Sequence, residues 1–64
     1  MVLYNLYLVL INEIIKVYDN VTQSIVYEGS SEDIPSELMN ALVHDISPVY
    51  IKDINKAYLL ININ

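Results

Sequence analysis

Apolar residues recur throughout this chain, and their spacing changes period from one stretch to the next. Leu3, Leu6, Tyr7 and Leu10 fall at i, i+3, i+4 and i+7, the repeat of one helical face. Leu8, Val9 and Ile11 are apolar too, so a buried strand fits the stretch nearly as well; the helix is favoured. The β-branched run Ile14-Ile15-Lys16-Val17-Tyr18 ends at Asp19-Asn20, whose side chains bond their own backbone and place a turn there. Ile25-Val26-Tyr27 is a second short strand that stops at Gly29, the only glycine, and the pair predicts a β-hairpin. Its turn holds Val21, Thr22 and Gln23, with no glycine to take a positive φ freely.

Asp33 as a cap, Pro35 in the first turn and the acids Glu32 and Glu37 predict a helix start. Leu38, Ala41 and Leu42 share one face, which carries that helix about two turns, to Leu42 or Val43. Pro48 disfavours helix at Ser47 and marks an edge or a break. Val49-Tyr50-Ile51 then reads as a strand and Asp53-Ile54-Asn55 as a turn. In the final run Ala57, Leu59, Ile61 and Ile63 alternate with Lys56, Tyr58, Leu60, Asn62 and Asn64, the pattern of a half-buried antiparallel strand. The expectation is one small α+β domain over residues 1–64, in the order α-β-β-α-β-β. Its sheet would be antiparallel, with three or four strands and one or two short helices.

Composition narrows the chemistry. Three Lys, no Arg and eight acids give a net charge of −5, and there is no Cys. Disulfide scaffolds, Cys-ligated zinc and thiol nucleophiles are therefore excluded. At 55% hydrophobic residues the chain is too apolar for a disordered segment. A domain this small buries only about 60% of its unfolded surface, which makes a homodimer or higher oligomer the expected remedy. The expected oligomer face is that of Leu3, Leu6, Tyr7 and Leu10, or else the carboxy-terminal strand. The first eleven residues lack a basic n-region and are shorter than the roughly 20 apolar residues of a membrane span, so they read as buried structure in a soluble, cytoplasmic protein. The negative balance argues against direct contact with nucleic acid or anionic membranes and selects a partner with a basic surface.

His44 is the one histidine, and Asp45 follows it directly. Strand neighbours point to opposite faces, so the pair does not by itself form a catalytic dyad. Glu32, Asp33 and Glu37 lack the alternating ligands and glycine turn of a calcium loop, and one glycine cannot build a phosphate loop. The sequon Asn20-Val21-Thr22 reads as a turn. No catalytic residue, metal or cofactor is expected, and the protein is read as non-enzymatic.

Between Lys16 and Lys52 lie Asp19, Glu28, Glu32, Asp33, Glu37 and Asp45, with no basic residue. Such a stripe can occupy a basic groove meant for phosphates, with Glu28, Glu32, Asp33 and Glu37 carrying the attraction. Helix capping alone accounts for Glu32, Asp33 and Glu37, and solubility for the rest, which is the more economical reading. Tyr18 and Tyr27 could pair across the hairpin as apolar anchors for a partner, or serve as half-buried core.

Val17-Tyr18-Asp19-Asn20-Val21-Thr22-Gln23-Ser24-Ile25-Val26-Tyr27-Glu28-Gly29, followed by Glu32-Asp33-Ile34-Pro35-Ser36-Glu37-Leu38, resembles small proteins encoded in phages and prophages of low-GC Gram-positive bacteria. In those, a Tyr-Asp-Asn-x-Thr turn leads to a strand ending in Glu-Gly and then to an Asp-Ile-Pro-x-Glu-Leu helix start. The likeness covers about the central third of the chain, and each piece is also general turn and cap chemistry. This chain departs from the pattern at Gln23, where a glycine usually follows the Thr; Gln23 must strain the turn or lengthen the loop. The resemblance implies a phage context in a host cytoplasm and brings no assigned activity. Some small acidic phage proteins are inhibitors, anti-CRISPR proteins and inhibitors of DNA repair among them. The implied role is to bind and modulate or inhibit a host protein that handles nucleic acid; the alternative is a homo-oligomeric assembly protein.

Overall fold

The strands form where the β-branched runs lie. The computed structural model describes residues 1–64, with a helix α1 (Leu3–Tyr7) and strands β1 (Ile14–Asp19), β2 (Ser24–Ser30), β3 (Val43–Ile51) and β4 (Lys56–Ile63). Three short 3-10 turns, Ser31–Asp33, Ser36–Leu38 and Lys52–Ile54, supply the remaining helical backbone. The four strands make one sheet in the order β2-β1-β4-β3.

Both expected hairpins are present: β1 pairs antiparallel with β2, and β3 with β4. The sheet as a whole is mixed, because the two inner strands β1 and β4 run parallel, with Val17 level with Ile61. This corrects the expectation of an antiparallel sheet. The cause is the connection through residues 31–42. It starts beside Glu13, where Ser31 N–H donates to Glu13 O, and ends where Val43 lies level with Ile63. It thus crosses the length of the sheet and returns β3 in the direction of β2, which leaves β4 alongside β1 in the same sense.

The second expected α-helix is absent, so the order α-β-β-α-β-β does not hold and the fold is mostly β. Residues 36–38 make a single 3-10 turn. A helix continuing to Val43 would need a last ladder bond from Val43 N to Met39 O. Here Met39 O accepts Tyr4 N of α1 at 2.9 Å and Val43 N donates to Met1 O at 2.8 Å, while Ala41 O accepts Leu3 N at 2.9 Å. One tertiary contact therefore satisfies the start of α1 and ends the competing helix. The cap is also placed differently: Ser30 Oγ accepts from Glu32 N at 3.2 Å, ahead of the expected Asp33.

α1 and the crossover both lie over one face of the sheet. Leu3, Leu6, Ile15, Val17, Ile34, Ile61 and Ile63 form the buried core between these layers, with Tyr7, Leu10, Tyr27 and Leu38 packed around it. The helix expected at Leu3–Leu10 is real but ends at Tyr7, and Leu10 reaches the core from the loop beyond it. Neither sheet edge is a flat template: β3 carries Pro48, and the β1–β2 register shifts by a bulge that leaves Val26 unmatched. No helix is long and apolar enough to cross a membrane.

Candidate functional site

Alternation along the strands gives the sheet a second face that no element covers. β1 contributes Ile14, Lys16 and Tyr18, the neighbours in sequence of buried Ile15 and Val17. β4 contributes Lys56, Tyr58, Leu60 and Asn62 by the same rule. Register brings Asp45, Ser47, Val49 and Ile51 of β3 level with them, and Ile25 and Glu28 of β2 level with Tyr18 and Lys16. Ile14 and Ile25 remain 54% and 48% exposed there.

The charges on this open face are arranged. Lys16 Nζ lies 3.1 Å from Glu28 Oε2 and 4.7 Å from the centre of the Tyr58 ring. The hydrogen bond to Glu28, with its charge, holds the Lys16 ammonium above its ordinary pKa of 10.5. Asp45 Oδ1 accepts a 2.6 Å hydrogen bond from Asn62 Nδ2, which fixes its carboxylate over the far end of the face. Lys56 stands at the opposite end and makes no ion pair, since Lys16–Glu28 is the one salt bridge. Beside Lys56 a shallow depression of about 250 Å³ runs between Ile14, Lys16, Ile51, Ile54 and Tyr58. A second depression, about 340 Å³, lies at the same end of the sheet, lined by Glu13, Pro48, Tyr50 and Leu59. Both are mainly apolar.

The residues expected to bind a partner are divided among different surfaces. Glu28 and Tyr18 belong to the open face. Tyr27 does not: it pairs with Val17 and packs on the core, and the bulge sets Tyr18 against Ile25. The two tyrosines therefore lie on opposite faces and cannot act as a cross-strand pair of anchors. The Tyr27 hydroxyl donates to Ser30 O at 2.6 Å, and burial first, then the Asp33 charge, raises its pKa above the ordinary 10.0. Glu32, Asp33 and Glu37 are exposed on the crossover, apart from Glu28 and unpaired.

The expected oligomer face is used inside the protomer. Leu3 is fully buried and Leu6 7% exposed, while Tyr7 and Leu10 are packed against them. His44 is exposed beside a register shift of β3, while Asp45 is turned to Asn62. No three His, Asp or Glu side chains converge as a metal site.

Sequence reasoning missed Ser31, the one fully buried polar residue. Its Oγ accepts from Glu13 N at 3.1 Å and donates to Leu10 O at 3.3 Å, tying the loop after α1 to the end of β2. Nothing in a Ser-Ser pair signals that role. It also missed the open face, for which a signal was present: Ile14-Ile15 and Tyr58-Leu59-Leu60-Ile61 are apolar on both sides of the strand. Comparison of the chain with protein-family models, curated proteins and solved structures finds no match.

Proposed function

We propose that this chain is a non-enzymatic interaction protein that binds another protein through the open face of its sheet. The observation that carries this reading is the asymmetry of the two faces. One is packed beneath α1 and the crossover; the other is uncovered yet presents Ile14, Ile25, Ile51, Tyr58 and Leu60. A sheet face left to water is ordinarily polar, and an apolar one with a polar margin is the mark of a contact surface. The Lys16–Glu28 pair supports the same reading, because a neutralised pair costs less to cover than a lone charge. A photo-crosslinker at Ser47 on the open face, with a control at Glu37 on the crossover, tests it. Adducts from Ser47 and none from Glu37 support the open face; adducts from Glu37 alone reject it.

A second reading concerns the crossover. Glu32, Asp33 and Glu37 are exposed, and no base of this chain pairs with them. With the phage resemblance, they fit a protein that engages a basic, nucleic-acid-handling host protein in the host cytoplasm. Reversing Glu32 and Glu37 to Lys then abolishes a salt-sensitive complex while the fold persists; unchanged affinity rejects this reading.

A further inference from the structure

We infer that the occupant of the open face is a second copy of this chain, stacked face to face with its strands reversed. The inference rests on the reading of the open face as a binding surface and adds the partner and its register. The argument is charge complementarity. Asp45 lies level with Asn62 near the end of β4, and Ile51 lies level with Lys56 at its start. Six residues separate Lys56 from Asn62, so the two charged positions stand about 20 Å apart along the strands.

A two-fold axis can stack a sheet on itself in two ways. With the axis across the strands, each strand lies over its own copy in reverse, and position is inverted about the middle of β4. Asp45 then lies over Ile51 of the second copy and Asn62 over its Lys56. The Asp45 carboxylate, bonded to Asn62, thus stands one strand spacing from that lysine, twice by symmetry, and the Leu60 row covers the Tyr58 row. With the axis along the strands between β1 and β4, Asp45 meets Ile25 and Lys56 meets no carboxylate of this face. Only the first arrangement pairs the charges that the protomer leaves over. Asn62 already holds the Asp45 carboxylate in place, so little order is lost on pairing. The Lys16–Glu28 pair enters the interface already matched.

Four strands at about 4.8 Å spacing and about 20 Å of length give a flat footprint of about 400 Å² per copy, the size of a weak, transient contact. The measurement must therefore reach high concentration. Sedimentation velocity from about 10 µM to about 1 mM is run on the wild type, Asp45→Lys, Lys56→Asp and the double swap, each checked for fold by circular dichroism. The expected result is a wild-type mass that doubles with concentration. Each single reversal moves the midpoint at least about tenfold upward, and the double swap restores it. A wild type that stays monomeric overturns the second copy as occupant. If Ser47 adducts to a different protein persist in that case, the open face survives as a binding surface and only its occupant changes. Dimers indifferent to both reversals but broken by Val9→Lys overturn the inference as well, moving the contact to the exposed Leu8–Ile11 run.

Discussion

Replacing Ser31 by Ala removes one oxygen and tests how the covered layer is fixed to the sheet. That hydroxyl accepts from Glu13 N at 3.1 Å and donates to Leu10 O at 3.3 Å, and Ser31 is fully buried. The backbone bond from Ser31 N to Glu13 O survives the change. Two side-chain bonds at a net of about 1 kcal/mol each give a loss of about 2 kcal/mol, within the 1–3 kcal/mol of an orphaned buried group. A chain of 64 residues has a total of about 3–10 kcal/mol, so the variant loses a large part of its stability. In a domain of this size the same loss lowers Tm by roughly 8–16 °C. Urea unfolding at low, fixed protein concentration measures it without a contribution from association. Ser30→Ala is the control, since its hydroxyl makes one exposed bond, from Glu32 N at 3.2 Å, and should cost about 1 kcal/mol or less. A Ser31→Ala loss no greater than that of Ser30→Ala would refute the reasoning.

The other predictions concern backbone strain and alkaline pH. Gln23 sits at φ 57°, so Gln23→Gly should stabilise the fold by about 1 kcal/mol in urea unfolding; a destabilised variant contradicts this. Gly29 has φ 147°, and a Cβ there would meet the Tyr27 hydroxyl at 3.1 Å, so Gly29→Ala should cost about 1–3 kcal/mol. A loss below about 0.5 kcal/mol for that variant counts against it. Lys16 and Tyr27 both have pKa values raised in the folded state. Each contributes stability that is fully present below its unfolded pKa, 10.5 or 10.0, and lost as pH rises through the higher folded value. Stability should therefore decline as pH rises above about 10, with one of the six tyrosines titrating late in ultraviolet absorbance. A Tyr27→Phe variant with the same late titration assigns it elsewhere.

Local chemistry was legible in the sequence wherever neighbours along the chain decide it. Alternation from Ala57 to Ile63, the turns at Asp19-Asn20 and Asp53-Asn55, and Pro48 on an edge strand all follow from residue type. The strain expected at Gln23 is present as its positive φ. What failed was decided at a distance. The run from Asp33 to Leu42 has sound helix-start chemistry, but the amino-terminal segment takes the Met39 carbonyl through Tyr4 N and the Val43 N–H through Met1 O, and no local pattern shows that competition. A regular hairpin puts Tyr18 and Tyr27 on one surface; a bulge beside them shifts the register and parts them.

β1 and β4, the parallel inner strands, are apolar on both sides, but a layer covers only one of their faces. Their second apolar side has no layer within the protomer. Leu3 and Leu6, the residues that periodicity singled out for assembly, supply the layer on the first side. The demand for further burial that follows from the size of the chain thus falls on Ile14, Tyr58 and Leu60.

The most direct test of this account is a series of amide and methyl NMR spectra recorded on dilution from about 1 mM to about 20 µM. The account predicts concentration-dependent shifts at Ile14, Lys16, Asp45, Lys56, Tyr58 and Leu60, with Leu3 and Leu6 unchanged. Shifts confined to Leu8, Val9 and Ile11, or no shifts anywhere, contradict it.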